Sequence, residues 1–398
     1  MADTLANVNP EKVLAFLLSN WLAAALVVLG ALLLAGLAWL LQPLRTAWAQ
    51  KRSPVYDVEN NFATGAALDG PRAPFPSVLR DAPSVLVSVV VPAYNEEKRI
   101  DAMMGEMLGF LKAQELEARA APRAAGARAF TWEVLVVDDG SRDGTAAHVQ
   151  RRYVAAEGHE RVRLLKLHKN NGKGGAVRKG MLRARGEYII FADADGATKA
   201  SDLATLLERC RALAGARGGD AAAAIAVGSR AHLDEGAEAK AQRTAFRAFL
   251  HEGFDLLKRL MLGGLGGVRD TQCGFKMFSR AATRAIFPVL HIERWAFDVE
   301  LLFLAARFGV PVAEVPVTWH EVDGSTLDPL SASLQMLRDV FVIRLCYVLG
   351  IWKDSDGVGE AAVIATGAAP APAAPAPAEA APAAEPAKEA KVRRRPQA

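Results

Sequence analysis

An α/β fold built on a doubly wound, mostly parallel sheet is what this 398-residue sequence predicts, and three observations carry the prediction. Between residues 85 and 320, short apolar runs rich in β-branched residues alternate with longer helical patterns. Continuous runs of that length suit parallel strands buried on both faces. Acidic or glycine-rich turns follow the strands, at the carboxyl edge where such sheets bind their ligands.

In order, strands are expected at VLVSVVV (85–91), EVLVV (133–137), RVRLLKL (161–167), EYIIFA (187–192) and AIAVGS (224–229). Helices are expected between them, at about 96–118, 143–156, 173–185, 201–213 and 240–261. The length accommodates two ordinary domains or one large α/β domain with attachments, and the single run of alternating elements favours the latter.

Those attachments lie at the two ends. From Trp21 to Leu41 the chain carries 21 residues without a charge or a strong polar group. As a helix this spans about 30 Å, one hydrocarbon core, and a transmembrane anchor over 13–42 is expected. It is too long for the apolar region of a cleaved leader, and its approach, with Asp3, Glu11 and Lys12, is not basic enough. Trp21 and Trp39 suit the headgroup zones, and Arg45, Lys51 and Arg52 hold the following side in the cytosol. Residues 43–83, rich in proline, read as a juxtamembrane stalk; 84–330 form the α/β domain, 331–353 a membrane-proximal helical segment, and 354–398 a disordered Ala/Pro tail. For 333–352 two readings stay open: an interfacial helix at a lipid entrance, or a buried helix closing the sheet.

The formal net charge is +4, but the last eleven residues, KEAKVRRRPQA, hold five basic and one acidic side chain. The rest of the chain is therefore neutral overall, and no nucleic-acid partner is implied. Cys210, Cys273 and Cys346 lie far apart with no C-x-x-C, so neither a zinc site nor a disulfide framework is suggested.

Chemistry concentrates after the strands. Pro92 stops the first strand, and Asn95 and Glu96 open the next helix. Asp138 and Asp139 end the second strand, where carboxylates can accept from ribose or base, although solvated turn residues would look the same. Asp139, Ser141, Asp143 and Gly144 imitate a calcium loop, but position twelve is Gln150, which cannot supply a bidentate carboxylate. In KNNGKGGAVRKG (169–180) the spacing of a phosphate loop is not met, yet Lys173 on a glycine-rich turn can meet an anion. Asp193 and Asp195 close a buried strand with one residue between them, so both carboxylates can turn towards one hard cation, Mg²⁺ or Mn²⁺.

With these residues in place, VVVPAYNEE, VVDDGSRDGT and the D-x-D strand, in that order, resemble the inverting nucleotide-sugar glycosyltransferases of the GT-A fold. NGKGGAVRKG, FADADGATK, GSRAHL, RDTQCGFKMF and ERWAFDVELL are similar, more narrowly, to segments of the dolichyl-phosphate β-glucosyltransferases of the endoplasmic reticulum. The resemblance covers the anchor and residues 85 to about 352. It implies UDP-glucose as donor, dolichyl phosphate as acceptor, a Mg²⁺ or Mn²⁺ cofactor, and an enzyme held in the endoplasmic reticulum membrane with its catalytic domain in the cytosol. It further implies that Pro92, Tyr94, Asn95, Glu96, Asp138, Asp139 and Lys173 hold the donor, that Asp193 and Asp195 hold the metal, and that Arg230 and Arg243 hold the acceptor phosphate. Asp270 joins Asp193, Asp195 and Arg230 as a catalytic candidate, and Lys276, Asp298 and Glu300 complete the pocket. The nearest alternative is a dolichyl-phosphate mannose synthase using GDP-mannose.

Overall fold

The computed structural model describes residues 10–49, 55–120, 129–217, 222–233, 267–320 and 329–353, with side chains described for only part of the two terminal helices. Its centre is a seven-stranded sheet in the order β5-β4-β3-β6-β8-β7-β9. β3 (Val85–Ala93), β4 (Trp132–Asp138), β5 (Val162–Lys166) and β6 (Gly186–Ala192) run parallel, and β9 (Val312–Pro316) runs parallel to β7 (Ile225–Ser229). β8 (Phe275–Ser279) is inserted antiparallel between β6 and β7. The sheet is thus mostly parallel, and its order reverses between β3 and β6, which sets a ligand crevice outside their carboxyl ends.

Alternate residues of one strand enter different cores. Val89 and Val91 pack with Ile100, Met104 and Leu207, under α2 (Ile100–Ala120) and α5 (Asp202–Gly215). Val90 packs with Val137, Val177 and Phe297, under α4 (Lys173–Met181) and α7 (Phe297–Arg307). A two-residue repeat with both faces covered is the physical reason these strands read as unbroken apolar runs. Between β4 and β5, α3 (Thr145–Val149) continues through a π-helical turn, Gln150–Val154, to Glu157. After β8 the chain turns at once into α6 (Arg280–Ile286), capped by the Ser279 hydroxyl, which accepts from the Ala282 N–H.

The stalk expectation is corrected from Val55 onward. A short hairpin, β1 (Asn61–Ala63) and β2 (Arg72–Pro74), lies there, and Val55, Phe62, Phe75 and Val78 are buried in the main core. Three-residue strands among prolines leave no periodicity to read, but the aromatic pair Phe62 and Phe75, 4.9 Å apart, does the packing.

α1 (Pro10–Ala49) is one continuous 40-residue helix. Among the described residues, no helix is long and apolar enough to cross a membrane, so the transmembrane anchor expected over 13–42 is not found there. On α1 the described side chains between Ala24 and Trp39 point outward, with Leu26, Leu32, Leu33 and Leu34 all exposed. The C-terminal helix, α8 (Pro329–Val348), buries Val340, Ile343 and Cys346 in the main core, so its described part closes the sheet, while Val348 and Leu349 stay exposed. Arg338 of α8 lies over the Trp39 ring of α1 at 5.1 Å. The helix expected at 240–261, with Arg243, falls outside the described residues, as does the tail from 354.

Candidate active site

The carboxyl end of β6 and the adjacent amino end of the antiparallel β8 open into a cavity of about 270 Å³ lined by Asp193, Asp195, Arg230, Gln272, Cys273 and Trp319, among others. Asp193 and Asp195 follow β6 directly, and the Asp195 carboxylate accepts from the N–H of Ala197 at 3.0 Å, which fixes the turn through Gly196. Asp193 is held from two sides. Lys173 reaches its Oδ1 at 2.6 Å, and its own N–H donates to the Gly274 carbonyl at 3.2 Å. A Cβ at Gly274 would overlap the Asp193 carboxylate, so only glycine lets that side chain lie where it does.

Two hard carboxylates one residue apart are a donor set suited to Mg²⁺ or Mn²⁺, which commonly take one or two protein carboxylates and complete their shell with substrate phosphate and water. Among the described residues no group of three or more His, Cys, Asp or Glu is assembled to hold a metal by protein ligands alone. The residues present therefore fit a metal shared with a bound phosphate.

Arg230, following β7, is committed to Asp270. Its Nε and backbone N–H donate to Oδ2 at 2.8 and 2.9 Å, and its Nη2 donates to Oδ1 at 3.0 Å. Burial pushes the Asp270 carboxyl up, but the Arg230 guanidinium outweighs it and holds the group down at about 2. The guanidinium also stands over the Trp319 ring at 5.6 Å. Asp270 thus fixes the Arg230 side chain, and the fork expected to face a phosphate already has an acidic partner, with Nη1 outside that pair.

Around the ends of β3 and β4 lie the expected donor residues. Asn95 adopts a positive φ of 57°, held because its N–H donates to the Ser141 hydroxyl and its side-chain carbonyl accepts from the Arg142 N–H, both at 2.9 Å. Tyr94 beside it is exposed, and Pro92 half-buried. Burial raises the Glu96 carboxyl, with Asp195 and Asp143 adding to the effect against Arg99. The Asp139 carboxylate accepts from the N–H groups of Asn171 and Gly172 at 2.7 and 2.9 Å, so it shapes the turn before Lys173; burial nonetheless lifts it to about 7. Asp138 is also raised by burial, and its Oδ2 is buried without a hydrogen-bond partner. Such an orphan acceptor at a strand tip is a place for a ligand N–H or hydroxyl.

Behind the cavity, Lys276 donates to Asp298 Oδ1 and to the Cys273 carbonyl, each at 2.6 Å, and both side chains are buried. Burial raises the Asp298 carboxyl against the pull of Lys276 and Lys173. This pair supports the cavity wall from beneath rather than lining it. Glu300 is not among the residues that line the cavity: its carboxylate accepts from the N–H groups of His291 and Ile292 and from the Tyr347 hydroxyl at 3.1 Å. Arg243 lies outside the described residues. Gln272, Cys273 and Trp319 also line the cavity, although nothing in the sequence gives any of them a site role. The first two sit between the chosen Asp270 and Lys276, while Trp319 arrives through a bridge to Thr198 that no local pattern announces.

The model of the family described as Glycosyl transferase family 2 matches residues 88–287. A dolichyl-phosphate β-glucosyltransferase of Drosophila melanogaster is 49% identical over 279 residues, covering 70% of this chain and 80% of that one. The Homo sapiens protein of the same name is 44% identical over 329 residues, covering 82% and 95%, and that of Saccharomyces cerevisiae 40% over 282 residues, covering 69% and 79%. By sequence and by the sheet that carries its D-x-D turn, the chain belongs to the dolichyl-phosphate β-glucosyltransferases, within glycosyl transferase family 2.

Proposed function

We propose that this protein transfers glucose from UDP-glucose to dolichyl phosphate with inversion, giving dolichyl β-D-glucosyl phosphate and UDP, at the cytosolic face of the endoplasmic reticulum membrane. The observation that carries the reading is the likeness to the human relative, which runs through 82% of this chain and 95% of that protein rather than through a shared nucleotide fold alone. Among the described residues, the cavity supports it by joining two carboxylates to an arginine. The mannose alternative loses ground because the relatives it matches are named as glucosyltransferases.

An alkyl phosphate acceptor is already anionic at neutral pH, so attack on the sugar carbon needs no side chain to remove a proton. What the protein has to do is hold two anions in line and offset their charge. Asp193 and Asp195 would hold a divalent cation that neutralises the departing diphosphate. Asp138, with its unpartnered Oδ2, and the Asn95–Glu96 turn suit the nucleoside end. Arg230, oriented by Asp270, suits the acceptor phosphate, with Arg243 as its proposed companion. In-line displacement converts an α-linked donor to a β-linked product.

We propose that the uncharged stretch 21–41 of α1 anchors the protein in the membrane, although the described part of that helix is not by itself long and apolar enough to cross it. The outward apolar side chains of Leu26 to Trp39 support the anchor, and the contact between Trp39 and Arg338 sets α8 beside it. The lipid entrance then lies where Val348 and Leu349 stay exposed.

The test is incubation of membranes containing the protein with labelled UDP-glucose and dolichyl phosphate. The expected product is a glucosylated lipid, undiminished by excess GDP-mannose. Lipid labelling from GDP-mannose alone would overturn the donor assignment, and no lipid product from either donor would overturn the activity.

A further inference from the structure

Lys173 opens α4 with its backbone clamped. The preceding Gly172 donates its N–H to Asp139 Oδ2 at 2.9 Å, and Gly175 donates to the Glu293 carbonyl at 3.0 Å. A Cβ on Gly174 would come within 2.6 Å of Phe297 Cβ, so no slack exists between this helix start and the 292–297 segment. Any movement of the Lys173 charge is therefore a movement of its flexible four-carbon stem. That stem now ends on Asp193 Oδ1 at 2.6 Å, with the Trp295 ring centroid 5.7 Å away.

Asp193 is one of the two carboxylates that suit a divalent cation, and its other oxygen is packed against Gly274. An ammonium and a metal consequently compete for one carboxylate. The remaining nearby acid, Asp298, is already engaged by Lys276 at 2.6 Å. A displaced Lys173 thus has no vacant acid among these neighbours until a second anion arrives. A nucleotide diphosphate brings that anion.

We propose that Lys173 is the internal counter-cation of the D-x-D turn: it occupies Asp193 while no metal is bound, gives that carboxylate up to the metal, and transfers to the nucleotide diphosphate. Metal and donor then bind as a coupled pair, each weakly alone. The inference rests on the metal role proposed for Asp193 and Asp195.

The test measures Mn²⁺ binding directly, by the electron paramagnetic resonance of free Mn²⁺, on the detergent-solubilised full chain with and without UDP. In the wild-type protein UDP is expected to tighten Mn²⁺ binding roughly tenfold. Lys173→Met is expected to bind Mn²⁺ alone roughly fivefold tighter than wild type and to lose most of the UDP enhancement, whereas Lys173→Arg keeps the wild-type pattern. Mn²⁺ affinity in Lys173→Met equal to or below wild type, with the UDP enhancement intact, would overturn the proposal. The wild-type measurement stands even if that variant does not fold, because an enhancement below about twofold overturns the coupling by itself. Asp195→Asn separates the two readings: unchanged Mn²⁺ binding there overturns the metal assignment and this proposal with it, while weakened binding there alongside an unresponsive Lys173→Met overturns the lysine role alone.

Discussion

Asp195 and Gly274 illustrate how narrowly single residues constrain this site. Asp195→Asn keeps the hydrogen bond from the Ala197 N–H available to an oxygen but removes a charge from the proposed metal pair. Transfer of labelled glucose to dolichyl phosphate is expected to fall by more than about a hundredfold, with thermal unfolding unchanged. Turnover at the wild-type rate would refute the role. Gly274→Ala acts differently, since its Cβ overlaps the Asp193 carboxylate and drives it off Lys173. The expected result is loss of activity and of divalent-cation affinity together, with a stability cost of about 1–3 kcal/mol, read by calorimetry and Mn²⁺ titration. The D-x-D pair was legible because two acids at the tip of an apolar run are a local pattern. Gly274 was not, because its requirement comes from a side chain 81 positions earlier in the chain that reaches it only across two sheet strands.

Elements carry charge in places the strand pattern does not advertise. Glu133, on the otherwise apolar β4, is fully buried and accepts from the Ser88 hydroxyl at 2.6 Å, from Arg185 Nε at 2.8 Å and from Arg163. Burial pushes its carboxyl up, but Arg163 and Arg185 outweigh burial and hold it at about 2, as Arg230 holds Asp270. Both acids are lowered on folding. Their contribution to stability is therefore complete above the ordinary carboxyl range and drains away as pH falls from about 4.5 towards 2. Denaturation midpoints measured from pH 6 down to pH 3 are expected to drop across that window. Glu133→Gln is expected to cost about 3–5 kcal/mol at pH 6, by leaving the buried Arg163 without its paired carboxylate and Arg185 with Glu160 alone, and to flatten part of the acid loss. An unchanged pH profile in the variant would show the acid transition to lie elsewhere. At this scale the five expected strands and the first four helices match the observed elements closely, since unbroken apolar runs and helical spacing are local patterns. β8, β9 and the β1–β2 hairpin were missed: β1 and β2 have three residues each, and β8 runs antiparallel to both of its neighbours, which no local pattern states.

For the whole molecule, the two terminal helices contribute in different ways. α8 buries Val340, Ile343 and Cys346 in the core, and the segment just after it stacks Trp352 on His291 with rings 4.4 Å apart and 4° from parallel. Truncation before Pro329 removes apolar burial worth about 1.5–3 kcal/mol per large side chain, so the expected outcome is loss of the folded domain, seen as protease sensitivity, rather than a mere loss of access to lipid. A stable truncated domain that binds UDP would show α8 to be dispensable to the core. Deleting residues 1–49 is expected to leave UDP binding intact while reducing transfer to bilayer-embedded dolichyl phosphate, compared with transfer to a short detergent-soluble acceptor. Equal losses on both acceptors would count against the anchor. Local order along the chain encodes a mostly parallel α/β sheet, acids at its carboxyl edge, one long apolar stretch, and the motifs that mark the family. Which of those groups meet depends on how the sheet brings distant segments together. Asp270 with Arg230, Lys173 with Asp193, and Trp319 beside Thr198 all follow from strand order and crossover. Such contacts join residues distant along the chain, so neither spacing nor periodicity carries them.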